Sequence, residues 1–404
     1  LPQQGSFAAS SIDFVDPHLF VKGRIGIEPI RPFAFWRTHR GIGFAVAPRI
    51  AGGRSPLDVS AWAQAKTGQP LARRHLEFMP TTKIEGRIAE IDTLCSVRIE
   101  SGGLSTAALV NHFNYGRYVG EALDSVAAQT RGVDEIVVID DGSDPVDVDA
   151  VRAASARVGG TLYEQANGGQ LTCLQRGVAN TSADVVFFLD ADDRWSSHYI
   201  ERVMAIFEKR SDIGFVSTNV GRFAVDGSIS VVPQPTRDCG YSQARSLQPG
   251  AHCPGTVTSG IAMRREVLDH IFPLPDMPGW TMNADEALIV GSSLVGARKY
   301  QIGEPLVEYR AHGENNFHGR PYSASIDRRR GVERARLVEL LRAREGLPGS
   351  LAHWSHHEFR TIESPSYRDY RDHIRVLADP TMPVYVKLYR RIQLFASYRL
   401  GKEL

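Results

Sequence analysis

The run Val185-Val186-Phe187-Phe188-Leu189, followed by Asp190-Ala191-Asp192-Asp193, constrains the fold of this chain more than any other stretch. Five apolar residues without Gly or Pro, two of them β-branched, have the length and composition of a strand buried on both faces, as found at the centre of parallel sheets. Three carboxylates then arrive within four residues. Carboxylates crowded at the end of a buried strand repel one another and resist desolvation, so they require a compensating charge, and a hard divalent cation is the obvious one. Taken alone, the same residues also read as a solvated acidic turn that caps the next helix.

The neighbouring sequence bears on that choice. From residue 104, strand-length apolar runs alternate with helix-length segments. Ala107-Ala108-Leu109-Val110 reads as a strand, and residues 118–130 as a helix with Val119, Leu123, Val126 and Ala127 on one face. Glu135-Ile136-Val137-Val138-Ile139 is a second buried strand, residues 147–158 a helix, Thr161-Leu162-Tyr163 a short strand, and residues 171–179 the helix that leads into the run above. Such alternation predicts an α/β fold with a mostly parallel, doubly wound sheet. Ligands of open α/β sheets bind beyond the carboxyl ends of the strands, and here those ends carry Asn111, Asp140, Asp141, Asp190, Asp192 and Asp193. Acidic strand ends converging on one edge point to a ligand site rather than to solvated turns.

Further along, the pattern predicts a helix over 199–209, a strand over 214–217, and a hairpin over 221–232 turning at Asp226-Gly227-Ser228. Residues 253–271 read as a turn followed by a helix. Asp285-Glu286 opens an apolar helix ending at Leu294, where acids also suit the helix dipole. The last strand is expected over 305–310.

Both flanks differ in texture. Residues 1–100, interrupted by Pro17, Pro29, Pro32, Pro48, Pro56, Pro70 and Pro80, are expected to form an irregular, β-rich extension with brief strands at Phe33-Ala34-Phe35-Trp36 and Ile42-Gly43-Phe44-Ala45-Val46. Its Arg37, His39 and Arg40 could contact an anion or simply be solvated. Residues 101–318 carry the α/β domain, and residues 319–404 a basic helical region. In that region, the segment 384–400 interleaves Lys387, Arg390, Arg391 and Arg399 with Tyr, Leu, Ile and Phe. Such helices can make peripheral contact with an anionic membrane surface, or pack their apolar stripe inward and leave the cations in water.

A formal net charge of +1 over 404 residues lacks the basic footprint of a general nucleic-acid binder, so no nucleic-acid partner is expected. The four cysteines show no Cys-X-X-Cys spacing, which argues for neither a zinc site nor a disulfide framework and suits a reducing cytosol. No apolar run approaches the roughly 18 residues of a membrane span. The expected location is cytoplasmic, with the inner face of the membrane as the further option.

Several motifs, in order, resemble the inverting family 2 glycosyltransferases of the GT-A fold, which use nucleotide-diphosphate sugars. They are Val110-Asn111-His112-Phe113-Asn114-Tyr115, residues 122–130, Val138-Ile139-Asp140-Asp141-Gly142-Ser143, Asn167-Gly168-Gly169-Gln170, Phe188-Leu189-Asp190-Ala191-Asp192-Asp193, Thr258-Ser259-Gly260, Ala284-Asp285 and Tyr309-Arg310-Ala311-His312-Gly313. The resemblance covers roughly residues 104–318. It implies a GT-A fold, a sugar donor bound through its diphosphate, and Mg²⁺ or Mn²⁺ to offset the charge that develops on the leaving phosphate. Carried over residue by residue, it implies metal contacts from Asp192, Asp193 and His312, with Asp190 supporting the loop. The donor would lie against Asn111, His112, Phe113, Asp140, Asp141, Gly168, Gly169, Asp190, Asp192 and Arg310. Here His112 stands where a small hydroxyl residue is common.

Inversion requires a carboxylate within reach of the acceptor hydroxyl. Asp285 matches that base; the residue before it, usually Glu, is Ala284 here, and Glu286 is the rival. The acceptor would be a saccharide, a lipid-linked sugar or a protein. Two other readings stay open: a non-catalytic nucleotide-sugar-binding scaffold, and a nucleotidyltransferase, although residues 111–117 lack the Gly-rich, basic phosphate loop that the latter needs.

Overall fold

The computed structural model describes residues 33–38, 41–46, 103–224, 228–275, 284–312 and 324–401. The chain divides into two compact units, residues 1–98 and 99–404. In the first, β1 (Phe33–Thr38) and β2 (Gly41–Val46) pair antiparallel, with Phe33 opposite Val46 and Thr38 opposite Gly41. The two brief strands expected there are present. The remainder of the 1–100 extension, His39 and Arg40 included, lies outside the described residues.

The second unit is organised around β6 (Val185–Asp190), whose five apolar residues are fully buried. Because side chains alternate along a strand, these residues serve two cores at once. Val185, Phe187 and Leu189 enter one cluster, and Val186 and Phe188 enter the other. On one side of β6, β3 (Thr106–His112) runs parallel and sets Asn111 opposite Asp190; β4 (Glu135–Asp140) and β5 (Thr161–Glu164) continue the parallel sheet.

On the other side, β11 (Ile261–Arg264) lies antiparallel between β6 and β8 (Ile213–Ala224). Next comes β12 (Arg298–Ala311), parallel to β8, and then β10 (Arg237–Gly240), antiparallel to β12. Short strands β7 (Arg194–Trp195) and β9 (Ile229–Val231) pair with β12 and β8. The order is β10-β12-β8-β11-β6-β3-β4-β5, an α/β architecture with a mixed, mostly parallel sheet.

Helices cover both faces. The helices α1 (Gly116–Ala127), α2 (Pro145–Val158) and α4 (Tyr199–Lys209) bury Val119, Leu123, Val151, Val203 and Phe207 against one face. The opposite face receives Leu174 of α3 (Gln170–Ala179), Leu268 of α6 (Arg265–Ile271), Leu288 of α7 (Asp285–Leu294) and Leu337 of α8 (Ala324–Arg344). Around a third cluster, Ala244 of α5 (Gln243–Ser246) packs with Phe359 of α9 (Ser355–Phe359), Val376 of α10 (Tyr367–Val376) and Leu394 of α11 (Val384–Leu400).

Three expectations need correction. Residues 253–271 are not a turn and a helix: Ile261–Arg264 is a strand, and the helix begins only at Arg265. Three apolar residues are too few for a period to show, and the two-sided burial of β11 becomes visible only between its neighbours. Second, β8 is one strand of 12 residues rather than a separate strand and hairpin arm, although its return pairing with β9 is as expected. The turn residues Asp226 and Gly227 lie outside the described residues. Third, β12 begins at Arg298, seven residues before the expected start, because register shifts around Pro305 let the strand continue past a residue that cannot donate to the ladder.

Gly177 shows how closely the layers approach. A Cβ there would run into the isobutyl group of Leu109, which is fully buried on β3. Gly177→Ala gains about 1 kcal/mol of helix propensity, but overpacking a closed core costs typically about 1–3 kcal/mol. We expect net destabilisation, read as a lower urea midpoint with an unchanged m-value. A raised midpoint would show that Leu109 has room to move.

Candidate active site

The carboxyl ends of β3, β4 and β6 meet at one edge, and each acidic residue there has a distinct set of partners. Asp140, at the end of β4, is buried and bonded through Oδ1 to Nδ1 of His112 at 2.8 Å and to Oγ of Ser143 at 2.6 Å. The Tyr115 backbone N–H donates to Nε2 of His112 at 3.3 Å, which leaves Nδ1 as the protonated, donating nitrogen. Burial works to raise the Asp140 pKa, but the hydrogen bonds from Ser143 and His112 outweigh it and hold the carboxyl below its usual range. His112, 1% exposed, ties the ends of β3 and β4 together from inside. Phe113 beside it is 45% exposed and presents a free aromatic surface at the same edge.

Asp141 acts as a clamp. Its Oδ1 accepts from the Gly168 N–H at 2.9 Å and from Nε2 of Gln165 at 2.7 Å, and Oδ2 accepts from the Gly169 N–H at 2.8 Å. Gly169 precedes α3, so a carboxylate from a different strand caps that helix and meets the positive end of its dipole. The clamp depends on backbone shape. Gly169 has φ +88°, and at Gly142, with φ +75°, a Cβ would come within 2.8 Å of the Asn167 nitrogen.

Beyond β6, Asp190, Asp192 and Asp193 crowd together. Burial first, then the neighbouring Asp192 charge, pushes Asp190 up to about 7. The same causes in the same order, with Asp190 adding to them, hold Asp193 well above the carboxylate range. Both Asp193 oxygens are engaged: Oγ of Ser259 donates to Oδ2 at 2.5 Å, and the Arg310 N–H to Oδ1 at 2.9 Å. Asp192 instead shares Oδ2 with Nε2 of His312 at 3.1 Å. The His312 ring rests against Tyr115 and Tyr118, with centroids at 5.6 and 5.1 Å. Arg310 does not extend into open space: its guanidinium lies between the rings of Tyr118 and Phe223, at 4.6 and 4.5 Å, and donates to Glu121 and to the Asp192 carbonyl.

Asp285 begins α7, half-buried, with Oδ1 accepting from the Glu286 N–H at 2.9 Å. Burial is the main cause that pushes its carboxyl up to about 6. Glu286 turns away to α8, where Arg334 donates to it at 2.7 Å and Arg330 at 3.4 Å. Gln170 joins the two acidic regions: its Nε2 donates to Oδ1 of Asp190 at 2.7 Å, and its Oε1 accepts from the Ala284 N–H at 3.2 Å.

The fold brings Asn111, His112, Asp140, Asp141, Gly168, Gly169, Asp190, Asp192, Asp193, Arg310 and His312 to one strand edge, and Gln170 links Asp285 to it. Gly313, which ends the last motif, lies outside the described residues. Gln170 and Ser259 stood in the sequence only as motif members. A Gln directly after Gly168-Gly169, three residues before the buried Cys173, was the available signal, but its partners 20 and 114 residues away could not be seen.

Among the described residues, no group of three or more His, Cys, Asp or Glu side chains is drawn close enough to hold a metal ion alone. The residues nevertheless suit a hard cation that shares its shell with a substrate. Asp192 and His312 offer an oxygen and a nitrogen donor side by side, and Oδ1 of Asn111, opposite Asp190, is buried without a hydrogen-bond partner.

The chain is similar to several known proteins. Residues 108–272 match the family model described as glycosyl transferase family 2. An uncharacterized glycosyltransferase of Nostoc sp. is 34% identical over 219 residues, covering 53% of this chain and 66% of the relative. Glycosyltransferase GlyA of Streptococcus pneumoniae is 34% identical over 107 residues, covering 26% of this chain and 15% of the relative. The chain thus spans slightly under two-thirds of the first relative and a small part of the second. Among solved structures, S. aureus TarS residues 1–349 in complex with UDP-GlcNAc aligns with 74% of this chain and 91% of that one, at 15% identity and a TM-score of 0.45. Residues 108–272 of this chain thus carry a domain that matches glycosyl transferase family 2.

Proposed function

We propose that this protein is a metal-dependent, inverting glycosyltransferase that moves a sugar from a nucleotide-diphosphate sugar to the hydroxyl of a saccharide, lipid-linked or protein acceptor. The observation that carries the reading is the Gln170 bridge. One amide holds the Asp190 carboxylate and the start of the Asp285 helix at once, so a donor at the strand edge and an acceptor beside Asp285 would meet at a fixed spacing.

Within that reading, Asp192 and His312 would hold Mg²⁺ or Mn²⁺ together with donor phosphate oxygens, and the ion would offset the charge developing on the leaving diphosphate. Asp193 takes a supporting role here, because Ser259 and Arg310 already occupy its oxygens. Arg310 likewise orders Asp192 through its carbonyl and Asp193 through its own N–H. Phe113 offers a surface for the base, and the Asp141 clamp shapes the Gly168-Gly169 turn beside it. Asp285 would take the acceptor proton, a task favoured by a pKa raised toward working pH. Glu286 is committed to Arg334 and Arg330, which argues against it as the base.

The direct test is release of nucleoside diphosphate from a panel of nucleotide sugars with Mn²⁺. Metal-dependent binding without release from any donor would favour the scaffold reading. Asp285→Asn should lower turnover by about 10²–10⁴-fold with donor affinity nearly unchanged, whereas Glu286→Gln should keep most of the rate.

The pH profile follows from the shift. The base works deprotonated, so kcat/KM should rise tenfold per pH unit below about 6 and level above it. For stability the sign is opposite: a carboxyl with a raised folded-state pKa favours folding at low pH, and that contribution is lost as pH rises through about 6. A rate profile with its limb near 4 would place an unperturbed carboxylate as the base.

The metal assignment is read without turnover, as the rise in melting temperature on adding Mn²⁺ and nucleoside diphosphate. At a hundredfold excess over Kd, binding should stabilise by about 2.7 kcal/mol. Asp192→Ala should abolish the rise. Asp193→Ala should lower the starting stability by about 1–3 kcal/mol, because its Ser259 and Arg310 donors lose their acceptor, yet it should keep a measurable rise. The reverse pattern would move the ligand role to Asp193.

A further inference from the structure

Helix α11 shows apolar residues to solvent where a helix at the surface of a domain normally shows polar ones. Its inner side is accounted for: Leu394 and Ser397 are buried, and Val386 and Tyr398 pack against the third cluster. On the outer side, Leu388 is 61%, Ile392 59% and Phe395 52% exposed. They are spaced by four and three residues, so they form one stripe along the helix axis, with Tyr385 one turn earlier on the same line and also exposed. Scattered surface apolar residues need no explanation, but a continuous stripe does.

The charge on the same helix selects the occupant. It carries Lys387, Arg390, Arg391 and Arg399 and no carboxylate, in a chain whose formal net charge is only +1. Arg391 and Arg399 are exposed on the side that bears the stripe, and the Arg399 guanidinium lies 5.8 Å from the Phe395 ring. Two-fold packing of this face on a second copy would set these cations against their own kind. An anionic lipid surface meets both demands, accepting the apolar stripe at the acyl boundary and the cations at the headgroups. Seventeen residues give a helix roughly 25 Å long, and no described helix is long and apolar enough to cross a membrane, so the geometry suits one lying in the interface.

We propose that the outward stripe Leu388, Ile392 and Phe395 of α11, with Arg391 and Arg399, docks the protein on an anionic membrane surface. The proposal is independent of the transferase reading, because its readout needs no donor, metal or turnover.

The test is co-sedimentation of the full chain with vesicles of phosphatidylcholine alone or mixed with phosphatidylglycerol. The chain should sediment with the mixed vesicles, stay in solution with neutral ones, and be released by added salt. Arg391→Gln with Arg399→Gln should weaken partitioning by about fivefold per cation removed. The triple variant L388S/I392S/F395S should lose binding while staying folded, with only a modest fall in melting temperature, because all three side chains are more than half exposed. Equal sedimentation with neutral and anionic vesicles, or undiminished binding by the triple variant, would overturn the proposal. A dimer in solution that the triple variant converts to monomer would assign the face to a second copy and overturn it as well.

Discussion

The carboxyl end of β6 delivers Asp190, Asp192 and Asp193 into a place where they can be neither fully hydrated nor far apart. The strand has no freedom to relieve this, because its five apolar residues are locked between two cores and two neighbouring strands. The surrounding structure distributes the stress. Ser259 and the Arg310 N–H take the oxygens of Asp193, Gln170 takes one from Asp190, and His312 approaches Asp192. What remains is negative charge held in low dielectric beside an oxygen and a nitrogen donor, an arrangement suited to a cation and a diphosphate.

The same constraint explains why several polar residues at this edge point away from open space. His112, in a position where a side chain could face a ligand, is turned inward by Asp140 and joins the ends of β3 and β4. Asp141 caps α3 across the sheet edge and fixes the Gly168-Gly169 turn. Arg310 is held between Tyr118 and Phe223 and bonded to Glu121. Each of these side chains is thus held by several partners within the fold.

Much of this was legible in the chain itself. The period of β6, the alternation from residue 104 onward and the acids at the strand ends sufficed to expect an α/β sheet with a ligand edge. The failures have local causes. β11 is too short to show a period, and β12 runs through a bulge at Pro305 that reads as a break. Carboxylate roles were less legible than carboxylate positions. Asp192 and Asp193 are adjacent and chemically identical, and only the partners reaching them from β12 and Ser259 tell them apart.

The sequence by itself determined that β3, β4 and β6 would be buried strands, that acids would gather at their carboxyl ends, and that residues 384–400 would form a basic helix, because these follow from local period and composition. Tertiary structure decided which acid is clamped, which is left beside a histidine, and which face of that helix meets water. Those outcomes depend on contacts such as Gln170 to Ala284 and Leu394 to the third cluster, between residues far apart along the chain. No local pattern encodes a distance across the fold.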